Sequence, residues 1–235
     1  MTAIPLALIG MGKMGRALAQ LAPERGFDVV ATLDRGATID RDSLHGAAVA
    51  IEFTVPDAAP LNVRACVAAG CPVVVGTTGW SDRLSAVSDD IIAQRGAMLT
   101  APNFSVGVAI FDRIVAEAAR LFSAVQGFDG HLVETHHAAK QDAPSGTAAS
   151  LAATAERAGG GSMPITSIRV GSVPGTHALI YDGAFEQVRL VHEARDRRVF
   201  AEGALTAARW IVGRRGVFTM QDVLSDVSPA TDAPE

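Results

Sequence analysis

Aromatic residues are scarce here, only 5% of 235, and the cysteines number two, Cys66 and Cys71. With few large flat side chains, close packing falls to alanine and to the 23 glycines, which suit tight helix–sheet contact and close approach of backbone to a ligand. The two cysteines make no metal or redox motif and read as buried thiols in a reducing compartment. No basic tract stands out, and the net charge is −5 with a pI near 5.7, which argues against a nucleic-acid partner. No run of about 18 apolar residues exists to span a membrane. The apolar run Ile4–Ile9 is short, has no basic flank and enters a glycine loop, unlike a signal peptide. The expectation is a soluble, cytoplasmic protein whose polar tail, Ser228–Glu235, is disordered.

What is present is a globular balance of 49% hydrophobic and 19% charged residues. The first half alternates short apolar runs with helical stretches. Strands are expected at Ile4–Ile9, Asp28–Leu33, Ala48–Thr54, Pro72–Gly76 and Ala97–Thr100. Helices are expected at Lys13–Ala22, from Pro56 through Ala69, and at Ser81–Arg95. This βα rhythm, with strands apolar on both faces, indicates a parallel sheet covered by helices. Near Asn103 the pattern changes. A helix is expected at Val108–Phe122, a strand at Gly130–Thr135 and a helix at Thr147–Arg157. A glycine break (Gly159, Gly160, Gly161) leads to strands at Thr166–Val170, His177–Tyr181 and Gln187–His192, which suggest an open mixed or antiparallel sheet. A helix at Glu202–Val212 and a short element at Thr219–Leu224 close the chain. The fold class is therefore α/β: an N-terminal Rossmann-type parallel sheet domain, then an α+β domain with an open mixed sheet.

The loop after the first strand reads GMGKMG, with Gly10, Gly12 and Gly15 in G-x-G-x-x-G spacing. Gly10 permits the tight turn, Gly12 admits a pyrophosphate, and Gly15 lets the helix sit close on the sheet. The start of that helix offers N–H groups and a positive dipole end to phosphates. Asp34, at the end of the second strand, can accept hydrogen bonds from ribose hydroxyls, which favours NADH. Arg35 and Lys13 can neutralise a 2′-phosphate, so dual use of NADH and NADPH is expected. Gly76, Thr77, Thr78 and Asn103 follow later strands, on the edge where open parallel sheets bind ligands.

The stretch Val133–Ala149, VETHHAAKQDAPSGTAA, packs Glu134, His136, His137, Lys140 and Asp142 together ahead of a helix start at Ser145. It suits a small dianion. Gly146 and Thr147 present helix N-terminal N–H groups to a carboxylate, and Lys140 adds a positive charge with three donors. A histidine here can exchange a proton near neutral pH. His136 and His137, adjacent on an extended segment, point to opposite faces and should differ in role. Adjacent histidines seldom reach one ion together and no cysteine cluster helps, so no metal is expected. A structural His137 and a solvated Lys140 are the plainer alternatives.

These residues carry a resemblance. The pattern E-x-H-H-x-x-K-x-D-A-P-S-G-T, complete from Glu134 to Thr147, resembles the 4-hydroxy-tetrahydrodipicolinate reductase family, also called dihydrodipicolinate reductase. GTTGW from Gly76, NFSVGV from Asn103, VPGTH from Val173, RRVFAEGALTAARW from Arg197 and GVFTMQDVL from Gly216 are similar to family segments in the same order. The resemblance implies NAD(P)H-dependent reduction of a heterocyclic dicarboxylate with loss of water, in lysine and diaminopimelate biosynthesis. It implies that His136 is the general acid/base, that Lys140 is a second catalytic residue, and that His137, Gly146 and Thr147 bind substrate. It implies a cofactor site of Gly10, Met11, Gly12, Lys13, Met14, Gly15, Asp34, Arg35, Gly76, Thr77, Thr78, Ala101, Pro102, Asn103 and Phe104. It also implies a homotetramer built through the second sheet, and a C-terminal segment that returns to the first domain. The dinucleotide-binding domain is then 1–105 with 199–235, and the substrate-binding and tetramerisation domain is 106–198. Against longer members, the glycine loop is one residue short and roughly 20 residues are missing before Arg169, a whole loop or hairpin. Two other readings remain: a related reductase acting on a different amino-acid precursor, and a non-catalytic sensor of NAD(P)H, which has no need of the His136–Lys140 cluster.

Overall fold

Six consecutive residues with no charge among them, Ile4–Ile9, form strand β1, and its last four are buried. Such runs belong to parallel strands covered on both faces. The computed structural model describes residues 2–159 and 161–226, so the polar tail and Gly160 lie outside the described residues. After β1 come helix α1 (Lys13–Leu21), β2 (Phe27–Leu33), β3 (Val49–Glu52), α2 (Ala59–Ala68), β4 (Val73–Val75), α3 (Leu84–Ala93) and β5 (Ala97–Thr100). Then follow α4 (Val106–Ser123), β6 (Phe128–His136), α5 (Gly146–Gly159), β7 (Ile165–Arg169), β8 (Thr176–Gly183) and β9 (Gln187–Glu193). The described chain closes with α6 (Arg198–Ile211), β10 (Gly216–Phe218) and α7 (Met220–Ser225).

The chain divides into two units, with crossings at Ser105/Val106 and Val199/Phe200. The first holds a parallel sheet in the order β10-β5-β4-β3-β1-β2. Its core includes Ala7, Ile9, Val63, Val73, Val75, Ile91 and Met98, each buried. Cys66 and Cys71 are free and buried here, and burial pushes the Cys71 thiol up to about 12. The second unit holds a mixed sheet, β7-β6-β8-β9, with β7 parallel to β6 and the other pairs antiparallel. Phe111 and Val115 of α4 and Leu151 and Ala155 of α5 pack on Leu132 and Leu179 of that sheet.

Strand β10, helix α6 and the stretch Ser81–Arg95 differ from the sequence expectation, and the short element expected near the end of the chain takes the form of a helix. Strand β10 has only three residues, too few for any periodicity to show. The short element expected at Thr219–Leu224 is α7, which starts where Asp222 Oδ2 accepts the Thr219 N–H at 2.7 Å. Helix α6 begins four residues before Glu202, because Asp196 Oδ1 accepts the Arg198 N–H at 2.7 Å and starts the turn inside a charged stretch. The stretch Ser81–Arg95 is also not one helix; it opens as a 3-10 turn, Ser81–Arg83, and ends at Arg95 with φ 52°.

Candidate active site

In the first unit the sheet order reverses between β1 and β3, and ligands in such sheets bind beyond the strand C-termini at that point. A cavity of about 300 Å³ lies there. Gly10, Met11 and Gly12 after β1, Asp34 to Ala37 after β2, and Phe53 to Val55 after β3 line it, with Asn62 of α2. Each glycine of the loop has its own constraint. Gly10 has φ +92°, and a Cβ there would lie 2.1 Å from the Phe53 carbonyl oxygen. A Cβ at Gly15 would lie 2.0 Å from the Gly10 carbonyl oxygen, which brings α1 onto its own loop. At Gly12 nothing lies within 4 Å, so that backbone is open to a ligand. A dinucleotide fits this arrangement: an open backbone at a helix start for the pyrophosphate, and the exposed Asp34 carboxylate for ribose hydroxyls.

Lys13, Met14 and Gly15 form the first turn of α1, outside the cavity lining. Gly76, Thr77 and Thr78, and Ala101, Pro102, Asn103 and Phe104, also lie outside it, after β4 and β5. Several of them are tied to its wall. Thr77 Oγ1 accepts the Thr54 N–H at 2.7 Å, Gly76 lies against the Phe53 ring, and the Phe104 ring meets Phe53 edge-on at 6.0 Å. Asn103 Oδ1 accepts the Ser105 N–H at 2.8 Å. Beneath the loops, wholly buried Glu52 accepts hydrogen bonds from the Thr54 hydroxyl and from Asn62 Nδ2 at 3.2 Å. Burial pushes the Glu52 carboxyl up, against those hydrogen bonds.

In the second unit the strand register builds the site. Residues opposite one another on neighbouring strands share a face. Leu132, Leu179 and Leu190 form a cross-strand row continued by Ile165 of β7, and these residues pack into the core with α4 and α5. The next row on the same face is Ser167, Glu134, His177 and His192, with Arg169 and His136 beyond it. One face of the sheet is thus apolar at one end and titratable at the other.

Glu134 anchors the polar end. It is wholly buried; His136 Nδ1 donates to one oxygen, and the other accepts from Arg169 Nη2 at 2.6 Å and the Ser145 N–H at 3.3 Å. Burial alone would push this carboxyl up, but hydrogen bonds from Arg169, Ser167 and His136 outweigh it and hold it at about 2. His136 is 8% exposed. Burial lowers its pKa, Glu134 pulls it back up, and Lys140 and Arg169 push it down; the net direction is down. Near pH 7 the ring is therefore mostly neutral, its Nδ1–H donating to the Glu134 carboxylate and its Nε2 unprotonated. His137 is placed differently: its Nε2 accepts from Arg197 Nη2 at 3.0 Å. Lys140 Nζ meets Asp142 Oδ1 at 2.7 Å, and α5 starts at Gly146 and Thr147, with Ser145 Oγ accepting the Ala148 N–H at 3.2 Å.

Arg169, His177 and His192 join this cluster without having been assigned a role from the sequence, and Glu134 was seen only as a neighbour. His177 is 3% exposed, and burial, then the nearby His136 and His192, lowers its pKa to about 4. A dense polar motif is visible in sequence; the cross-strand pairing that adds the histidines is not. Taken together, the unit offers a poised imidazole, two cationic side chains and a helix start, a set that can bind carboxylates and move a proton.

Comparison with known proteins identifies the family of the chain. Residues 4–104 match the family described as dihydrodipicolinate reductase, N-terminus, and residues 107–224 match its C-terminus. The Christiangramia forsetii protein named 4-hydroxy-tetrahydrodipicolinate reductase is 34% identical over 236 residues, covering 94% of this chain and 98% of the relative. A Stenotrophomonas maltophilia protein of the same name is 37% identical over 243 residues, covering 95% and 100%. A solved structure, dipicolinate-bound dihydrodipicolinate reductase from Paenisporosarcina sp. TG-14, shares the fold at TM-score 0.76 with 20% identity, covering 93% of this chain and 98% of that one.

Proposed function

Because the chain belongs to the dihydrodipicolinate reductase family, we propose a division of labour between the two sites described above. The enzyme is an NAD(P)H-dependent oxidoreductase that reduces 4-hydroxy-tetrahydrodipicolinate to tetrahydrodipicolinate with loss of water, in diaminopimelate and lysine biosynthesis. The unit of the parallel sheet binds the dinucleotide, and the unit of the mixed sheet binds the substrate. Gly10, Met11 and Gly12 hold the pyrophosphate, Asp34 and Arg35 the adenosine ribose, and the loops at Gly76–Thr78 and Ala101–Phe104 the nicotinamide end. When bound, the cofactor supplies hydride.

The single observation that carries the substrate site is the buried Glu134–His136 pair beside Lys140 and the start of α5. Lys140 and the N–H groups of Gly146 and Thr147 bind one carboxylate of the substrate. His137, polarised by Arg197, contributes a second polar contact. Glu134 fixes the His136 tautomer so that Nε2 is the nitrogen that handles the transferred proton. Arrival of a dianion favours the imidazolium, which then protonates the ring carbon.

The reading extends to assembly. The face of the mixed sheet opposite the helices carries Val191 and Ile168, 54% and 42% exposed. Apolar residues on an uncovered sheet favour association, and we assign this face to a homotetramer. No helix among the described residues is long and apolar enough to cross a membrane, which accords with a cytoplasmic enzyme.

A coupled assay tests the function. The preceding synthase, with pyruvate and aspartate semialdehyde, generates the unstable substrate in place, and cofactor oxidation is followed optically. Oxidation that depends on the synthase and is inhibited by 2,6-pyridinedicarboxylate is expected. No oxidation with NADH or NADPH, from protein that binds NADH, would refute it.

A further inference from the structure

We infer that His177 is a positioning residue for proton transfer, its ring seating the ring of His136 beside Gly175. This deepens the reading above and rests on His136 as the proton donor. The two rings meet edge to face, centroids 5.3 Å apart and planes at 74°. Both His177 ring nitrogens are buried and, among the described residues, neither has a hydrogen-bond partner. The visible use of the side chain is therefore its flat ring. A buried polar group without partners destabilises a fold relative to an aliphatic group of similar volume. The next cross-strand row holds leucines at the equivalent positions, Leu132, Leu179 and Leu190. An imidazole at 177 thus costs stability, and the ring contact with His136 is what it supplies in return.

The surroundings give that contact a mechanical role. Glu134 holds His136 by Nδ1 alone, and a ring held by one hydrogen bond can pivot about it. Gly175 comes up to the other nitrogen: a Cβ there would lie 3.0 Å from His136 Nε2. His177 meets the ring itself. Behind His177 the contacts continue to His192 at 6.4 Å and from His192 to Phe111 at 6.1 Å, so the seat rests on α4. Groups that must transfer protons are held by such packing.

The test compares His177→Leu and His177→Phe with the wild-type enzyme in the coupled assay. His177→Leu, which removes an unpaired polar group, is expected to melt higher than wild type. Its kcat is expected to fall about 100-fold, the cost of a small misplacement of a reacting group. NADH affinity should hold, and the solvent deuterium isotope effect on kcat should rise as the proton step becomes slow. His177→Phe, which restores a flat ring, should recover most of the lost turnover. Wild-type kcat in His177→Leu overturns the inference, as does a His177→Phe enzyme no better than His177→Leu, or a leucine variant that melts lower than wild type. His136→Gln, run alongside, separates the two claims. If it turns over normally, the reading of His136 falls; if it is impaired while His177→Leu is not, only the role of His177 falls.

Discussion

At the residue scale, the pairing of Glu134 with His136 sets how the enzyme should respond to pH. The His136 pKa is lowered, chiefly by burial, so the free enzyme loses its imidazolium before pH 7. A bound dianion raises that pKa again. Because kcat/KM reports the free enzyme and kcat the complex, kcat/KM should decline with rising pH earlier than kcat does, and pH–rate profiles check this. Superimposed profiles would mean that substrate does not recharge His136. His177 gives a stability counterpart. Its folded pKa, about 4, lies below its ordinary value of 6.5, so the unfolded chain takes up the proton first. The fold therefore loses stability through this group as pH falls from about 6.5 toward 4, on the order of 3 kcal/mol in all, on top of what the unpartnered neutral ring already costs. Denaturant melts at stepped pH should show that loss in wild type and its absence in His177→Leu. The polar motif from Glu134 to Thr147 is legible in sequence because its members are neighbours. Arg169 and His177 are not, because their place beside Glu134 depends on the pairing of β6 with β7 and β8, strands that helix α5 separates in the sequence.

At the element scale, the loop from β1 into α1 separates folding from binding. Gly15→Ala would drive a Cβ against the Gly10 carbonyl oxygen, so both the melting temperature and NADH affinity should drop. Gly12→Ala meets nothing in the protein. It should fold with an unchanged melting temperature yet bind NADH at least about tenfold more weakly, which is roughly 1.4 kcal/mol. Fluorescence titration and thermal melts distinguish the two, and equal behaviour would remove Gly12 from the pyrophosphate site. The buried strands β1, β3 and β4 were readable because parallel strands show unbroken apolar runs. Strand β10 and the start of α6 were not. One is too short to carry a period, and the other begins among charged residues that look like loop. Glu52 belongs to this scale as well. Its raised pKa means that its share of stability is present at low pH and lost as pH rises through the folded pKa. Glu52→Gln should flatten the fall in melting temperature that begins as pH rises above the ordinary carboxyl range.

At the scale of the whole molecule, the alternation of strands and helices announced a parallel sheet, and the change near Asn103 announced a second unit. The order of strands and the face left uncovered came only with the register. That face carries the assembly prediction. Val191→Asp places a charge on an exposed apolar position and should reduce the solution mass from that of the proposed tetramer toward smaller species, measured by light scattering. An unchanged tetramer would move the interface elsewhere. The proposed mechanism turns on His136, held by Glu134, as the proton donor. It is tested most directly by kcat of His136→Gln at saturating substrate and cofactor, with NADH and 2,6-pyridinedicarboxylate affinities measured on the same protein. A fall of about 100-fold or more with both affinities retained is predicted; wild-type kcat in that variant would contradict it.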